Sequence, residues 1–298
     1  MNEDRTIEPL KELNLNDPEP GVYEVCFKTY TQINAVNWSS LKPYLKSPFH
    51  AALVSNKAEP YQDFGRQVHC LFLEGRVEYD NRFATYQGKV RRGKEFESFK
   101  ALHPNKVIQT ATEREEVQLL NDQLTVHPLS AAIPLTCICE VVFVWINDLG
   151  IKCKAMMDAV QRNHEGVVPV VYDLKTTTSA DESGFAREAA KYWYHAQMAW
   201  YREGMEKTFG RLGPASSLKI IAAEKGTGAI ARYTFTDAAL FAGLQAAATA
   251  LNRFLRSQRD RKEGNPVVGL NENKEVELIS FFPPQIPGEP EIFLDYAS

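Results

Sequence analysis

From residue 137 to residue 176 the chain reads as three strands in succession, and this stretch constrains the fold more than any other. Cys137–Ile146 (CICEVVFVWI) and Ile151–Val160 (IKCKAMMDAV) are rich in β-formers and flank Asn147-Asp148-Leu149-Gly150, a hairpin signal. Val167–Thr176 follows as a third strand. Helical patterns lie on both sides. Upstream, Ser39 or Ser40 can cap a short helix that places Leu41 and Leu45 one turn apart and stops at Ser47-Pro48. A second helix over about 61–74 carries Val68, Leu71 and Phe72 as its apolar stripe and ends at Gly75. Residues 86–100 read as a basic loop entering a helix, and 112–126 as a helix opening with Thr112 and Glu115 at capping-box spacing. Downstream come one long helix over about 184–207, strands at Leu218–Ala223 and Ala229–Thr236, and an Ala-rich helix capped by Asp237 and running to about Arg261. This order predicts an α/β fold, a central mixed β-sheet flanked by helices.

Side chains alternate across a strand, so Asp173 and Lys175 in Val170–Thr177 (VVYDLKTT) share a face while Leu174 points away. On the preceding strand Lys152, Lys154, Met156 and Asp158 share a face, and antiparallel pairing can bring Asp158 to Asp173. Two converging carboxylates repel unless a divalent cation neutralises them. A hard cation such as Mg²⁺ suits oxygen ligands and keeps positions open for water and phosphate. The plain alternative for D-x-K is a surface salt bridge worth roughly 0–1 kcal/mol.

Other residues add to the pattern, each with an ordinary alternative. Gly65 stands one turn before His69 and leaves room for a neighbouring backbone; a lone helical histidine is more often structural. Glu140 sits within an apolar strand, where a carboxylate needs a cation or a donor unless it faces solvent. Gln197 and Tyr201 form an i, i+4 pair that could equally be helix packing. Arg91, Arg92 and Lys94 are either phosphate contacts or a solvated basic loop.

The combined order G-x-x-x-H … E … D … D-x-K-T-T … Q-x-x-x-Y resembles the RecB-like branch of the PD-(D/E)XK nucleases, and most nearly the RecE or exonuclease VIII type of phages and prophages. Ser40-Leu41 through Leu45-Lys46-Ser47-Pro48 resembles an early S-x-L-x-x-L-x-x-S-P element of that family, Phe64-Gly65 through His69-Cys70 its G-x-x-x-H-C helix, and Arg91 through Glu95 its basic loop. The likeness spans about residues 37–210; many relatives carry Glu where this chain has Asp173. It implies that Asp158, Asp173, Lys175 and Glu140 are catalytic. It implies further that Asp158, Asp173, His69, the Leu174 backbone carbonyl and Glu140 hold metal, and that Gln197, Tyr201, Thr176, Arg91, Arg92 and Lys94 contact DNA or support the site. Mg²⁺ would be the cofactor, with Mn²⁺ a substitute. The activity implied is a 5′→3′ exonuclease on double-stranded DNA ends that leaves 3′ tails for a single-strand annealing protein, in a ring-shaped homo-oligomer such as a tetramer. A structure-specific endonuclease, a helicase-associated nuclease subunit and a non-catalytic recombination accessory protein are the competing expectations.

The resulting plan is an N-terminal arm over 1–36, expected to be largely irregular, a nuclease domain over 37–262 and a Pro-rich tail over 263–298. Hydrophobic residues make up 44% of the 298, enough for a sizeable core. The net charge of −4 demands a local basic patch or bound metal if DNA is the substrate. Five cysteines without a C-x-x-C disfavour a zinc ribbon, an iron–sulfur cluster or a disulfide framework. No apolar run is long enough to span a membrane, and the acidic N-terminus does not resemble a secretory signal, so the cytoplasm of a bacterial host is the expected location.

Overall fold

The computed structural model describes residues 13–53, 60–88, 90–161, 169–210 and 214–263. The Pro-rich tail beyond Glu263 and the start of the third expected strand at Val167 lie outside them. Part of the N-terminal arm is regular. β1 (Gly21–Glu24) pairs antiparallel with the first long strand, and α1 (Phe27–Gln32) follows it. Tyr23, Tyr30 and Ile33 pack there on Val142 and Val144.

α2 (Trp38–Leu41) is capped by Asn37, whose Oδ1 accepts from Ser40 N at 3.0 Å; the expected serine cap is instead the reciprocal partner. A 3₁₀ turn (Lys42–Leu45) and α3 (Pro48–Leu53) complete this segment. α4 (Pro60–His69) continues into a π-helical turn, Cys70–Glu74, closed by Gly75 N–H on Cys70 O at 3.0 Å. The expected helix over 61–74 is therefore two kinds of helix, and the junction falls at His69.

After α5 (Arg76–Arg82), β2 (Phe83–Tyr86) and β3 (Val107–Thr110) form a separate parallel pair around α6 (Lys94–Leu102). α7 (Ala111–Val126) opens with a capping box between Thr110 and Glu113, two residues before the expected Thr112 and Glu115. α8 (Ile133–Thr136) leads into β4 (Cys137–Ile146), β5 (Lys152–Gln161) and β6 (Val171–Thr177). The expected helix over 184–207 is two helices, α9 (Glu182–Tyr192) and α10 (Tyr194–Phe209). Trp193 breaks them with φ 62°, and its N–H bonds Ala189 O and Ala190 O. β7 (Leu218–Glu224), β8 (Ile230–Tyr233) and α11 (Asp237–Lys262) finish the described chain; Thr236, not Asp237, caps α11.

Six strands form one mixed sheet in the order β1-β4-β5-β6-β7-β8, confirming the α/β expectation. β6 and β7 are parallel, joined by the α9–α10 crossover that such a pair requires. Most of β4 is buried, as suits a strand covered on both faces. On one face α2, α10 and α11 enclose Leu41, Trp145, Trp200 and Ile220; on the other α4, α5 and α7 enclose Phe64, Val68, Tyr79 and Leu120.

Gly243 sets the crossing of α10 and α11. A Cβ there would lie 2.4 Å from the His195 backbone oxygen. Gly243→Ala should therefore destabilise the fold by about 1–3 kcal/mol despite the better helix propensity of alanine, because a backbone oxygen cannot swing aside. Urea denaturation checks this, and unchanged stability would show that the two helices can part freely.

Candidate metal centre

The site follows from strand register. Cys139 pairs with Ala159 and Val141 with Met157, so Glu140 stands across from Asp158. Ala159 pairs with Tyr172 and Val160 with Val171, so one further step sets Asp158 opposite Asp173. Three carboxylates thus form a row across β4, β5 and β6. Past Tyr172, β6 pairs with β7 alone among the described strands, and a fork opens beside Asp158. There Asp158 accepts the Leu174 N–H at 2.7 Å in place of a strand partner.

His69 reaches the fork from the other side. Its Nε2 lies 2.7 Å from the Leu174 carbonyl, and its Nδ1 lies 3.5 Å from Asp158 Oδ2. Since a carbonyl only accepts, Nε2 carries the proton in this contact. Gly65 lets α4 approach closely, for a Cβ there would meet Thr176 Oγ1 at 3.2 Å.

α10 supplies the opposite wall. Tyr201 OH donates to Met156 O at 2.9 Å and accepts from Gln197 Nε2 at 2.8 Å; the same amide lies 3.3 Å from Asp173 Oδ1. Lys175 Nζ sits 2.5 Å from Asp173 Oδ2 and 5.0 Å from the centre of the Tyr194 ring. This ion pair is not on the surface: the Asp173 side chain is 0% exposed and that of Lys175 15%.

The row is electrostatically uncomfortable without a cation. Burial, reinforced by the charges of Asp158 and Glu74, pushes the Glu140 carboxyl up to about 8. Burial also raises Asp173, to about 6, with Lys175 opposing and Asp158 assisting the rise. Glu140 further holds a left-handed backbone at φ 56° within a strand, a conformation costing on the order of 1–2 kcal/mol for an L-residue. Strain and like charge converging on one spot point to a ligand that relieves both. One ligand atom each from His69, Glu140 and Asp158 lies within 4.8 Å of the others. An imidazole and carboxylates are a donor set for a divalent cation, and the residues fit one.

Because their protons are held more tightly in the folded chain, Glu140 and Asp173 cost little at about pH 4. The penalty on the metal-free fold grows as pH rises from the ordinary carboxylate range to their raised values, about 6 for Asp173 and about 8 for Glu140, and levels off above them. Glu140→Gln should therefore raise the metal-free melting temperature at about pH 8 and leave it unchanged at about pH 4. Thermal denaturation at the two pH values checks this; equal shifts at both would mean that charge is not the cause.

The structure brings His69, Glu140, Asp158, Asp173, Leu174 O, Lys175, Gln197 and Tyr201 together at the fork. Thr176, one step on from Lys175, instead faces α4 at Gly65. Arg91 pairs with Glu113 and, with Lys100, His103 and Lys106, lines an open cavity of about 550 Å³ beside α6 and β3. Arg92 and Lys94 are exposed in the same segment. Sequence reasoning missed Glu74, whose charge reaches Glu140 while its own carboxylate binds Arg82 at 2.5 Å, and it missed Tyr194. Neither carries a recognisable signal, since both are placed by irregular turns, the π turn and the break at Trp193.

Residues 37–267 match the family described as PDDEXK-like domain of unknown function (DUF3799). The chain belongs to that family. This PDDEXK-like domain shares its fold with the "Putative exonuclease" of Eubacterium rectale, at 16% identity and TM-score 0.55, over 84% of this chain and 96% of that one. A second solved structure, SSO0001, aligns at 16% identity and TM-score 0.28 over 73% of this chain and 85% of that one. No curated protein is significantly similar in sequence.

Proposed function

We propose that this PDDEXK-like domain is a Mg²⁺-dependent DNA nuclease that digests linear duplex from its ends, 5′→3′, leaving 3′ tails. The observation that carries the nuclease reading is the row Glu140–Asp158–Asp173 at the β5–β6 fork with Lys175 beside it, in a chain of this family. Asp158, Asp173, His69 and the Leu174 carbonyl would hold Mg²⁺, which Mn²⁺ can replace, and Glu140 a second ion. When bound, the metal neutralises phosphate charge and stabilises the attacking and leaving oxygens. The chain supplies the rest. Lys175, fixed between Asp173 and the Tyr194 ring, donates a hydrogen bond that orients the attacking water. Gln197 and Tyr201 tie Asp173 to the Met156 backbone and hold its carboxylate in one orientation.

End-directed digestion, the annealing partner and a ring-shaped oligomer rest on the RecE-type sequence resemblance; the name given to the Eubacterium rectale protein agrees with an exonuclease. The test is digestion of end-labelled linear duplex with Mg²⁺, with and without a 5′-phosphate, beside a covalently closed circle. Progressive loss from 5′ ends with the circle intact is expected. Rapid cutting of the circle would make the chain an endonuclease, and inert DNA in every lane would favour a non-catalytic accessory protein.

A further inference from the structure

The last helix and the 38–53 segment form a basic surface that the reaction centre does not use. From Arg253 to Lys262, α11 carries five cations against one carboxylate, a net charge of +4 in a chain whose total is −4. The 38–53 segment adds Lys42 and Lys46 and contains no acidic residue. The two are joined: Arg253 Nη1 donates to Tyr44 O at 3.1 Å and Leu45 O at 2.6 Å, and Tyr44 meets Phe254 edge-on at 5.5 Å.

Helix geometry places this surface at the active-site end. Arg202 pairs with Asp237 at 3.0 Å and Gly243 lies against His195, so α10 and α11 run antiparallel. α11 therefore passes the N-terminal end of α10, where Tyr194 faces Lys175, and projects beyond it. At 1.5 Å per residue, Arg253 is about 15 Å and Lys262 about 28 Å past Gly243. Lys42 lies within electrostatic reach of Lys175: burial lowers its ammonium pKa, and the charge of Lys175 lowers it further. Lys42 and Lys46 flank the two carbonyls that Arg253 holds, and Arg256 and Arg261 are exposed on the stretch of α11 that follows Arg253.

Complementing the helix dipole requires cations only in the last turn. Arg256 stands before that turn, and Lys42 and Lys46 are on another element. Arg259 has a carboxylate neighbour in Asp260 at 3.9 Å, whereas no ion pair involves Lys46, Arg256 or Arg261 among the described residues.

We propose that this surface, Lys46 with Arg256 and Arg261 at its centre, grips the phosphate backbone of the duplex that flanks the bond being cut. The inference rests on the nuclease reading and adds to it where the substrate lies. From Arg253 to Lys262 the helix covers about 14 Å, or roughly four base pairs at 3.4 Å each. The contacts are to phosphate, so they hold DNA without reading sequence.

The test uses the full chain with Lys46→Gln, Arg256→Gln and Arg261→Gln combined, and Arg256→Glu alone as a second variant. Binding of a labelled duplex is followed by anisotropy with Ca²⁺ in place of Mg²⁺, over roughly 50–200 mM salt. Each lost phosphate contact should reduce the salt slope by about 1, so the triple variant should lose about 3 and bind more weakly at every salt. Single-turnover cleavage with saturating enzyme should match the unsubstituted chain. A triple variant and an Arg256→Glu variant that keep normal affinity and slope would overturn the docking surface alone. An unsubstituted chain that neither binds nor cuts duplex would overturn the nuclease reading and this inference with it.

Discussion

Asp158→Asn is expected to give a folded chain whose Mg²⁺-dependent cleavage falls to background. The substitution keeps shape, and the amide oxygen can still accept the Leu174 N–H that Asp158 holds at 2.7 Å. What it removes is the central charge of the row, the one that faces Glu140 on one side and Asp173 on the other. Both neighbours have their carboxyl values raised partly by Asp158, so both should ionise more readily in the variant. The metal-free chain should then melt no lower than the original, and higher above neutral pH, while gaining less stability from added Mg²⁺. Cleavage assays and melting curves with and without Mg²⁺ measure this. Normal cleavage by the variant would reduce the row to an architectural feature.

The second large effect is at Lys175. Lys175→Met should slow the chemical step by about 10²–10⁴-fold, the range for a group that assists proton movement or orients the nucleophile. It also removes the nearest cation from a fully buried carboxylate, 2.5 Å away. Removing one partner of a buried pair typically costs about 3–5 kcal/mol unless the survivor takes a proton. Asp173, already raised to about 6 by burial, should rise further and protonate near neutral pH. Adding Asp173→Asn to Lys175→Met should therefore recover most of the lost stability and none of the cleavage. Single-turnover rates at saturating enzyme and metal, with urea denaturation, separate the two effects. An unchanged single-turnover rate would leave Lys175 a salt-bridge partner and nothing more.

The β4–β5 hairpin and the approach of Asp158 to Asp173 were legible because both follow from period-2 alternation, whereas β1 and the β2–β3 pair were not foreseen. Antiparallel pairing of Ile151–Val160 with the next strand can bring Asp158 to the face that Asp173 and Lys175 share, and the structure has that pairing. Long-range partners such as His69 came through motif order, since nothing local to α4 tells a structural histidine from one that reaches a fork 105 residues away. The misses share a cause. The break at Trp193 has no Gly, Pro or Asn to announce it, and a tryptophan at φ 62° runs against local preference. Tertiary packing of α10 on the sheet, with Trp200 Nε1 on Lys154 O at 3.0 Å, goes with that turn. Caps at Asn37, Thr110 and Thr236 instead of neighbouring polar residues reflect helix boundaries that several adjacent residues could serve equally well. The strain at Glu140 was invisible, because a sequence shows a carboxylate in a strand and not its positive φ.

The most direct measurement is a Mn²⁺ soak followed by anomalous diffraction from crystals of this chain. The metal-site assignment requires a peak at the β5–β6 fork in contact with the Asp158 and Asp173 carboxylates, and its loss in Asp158→Asn. A fork that stays empty at millimolar Mn²⁺, or a peak elsewhere that survives the substitution, would contradict it.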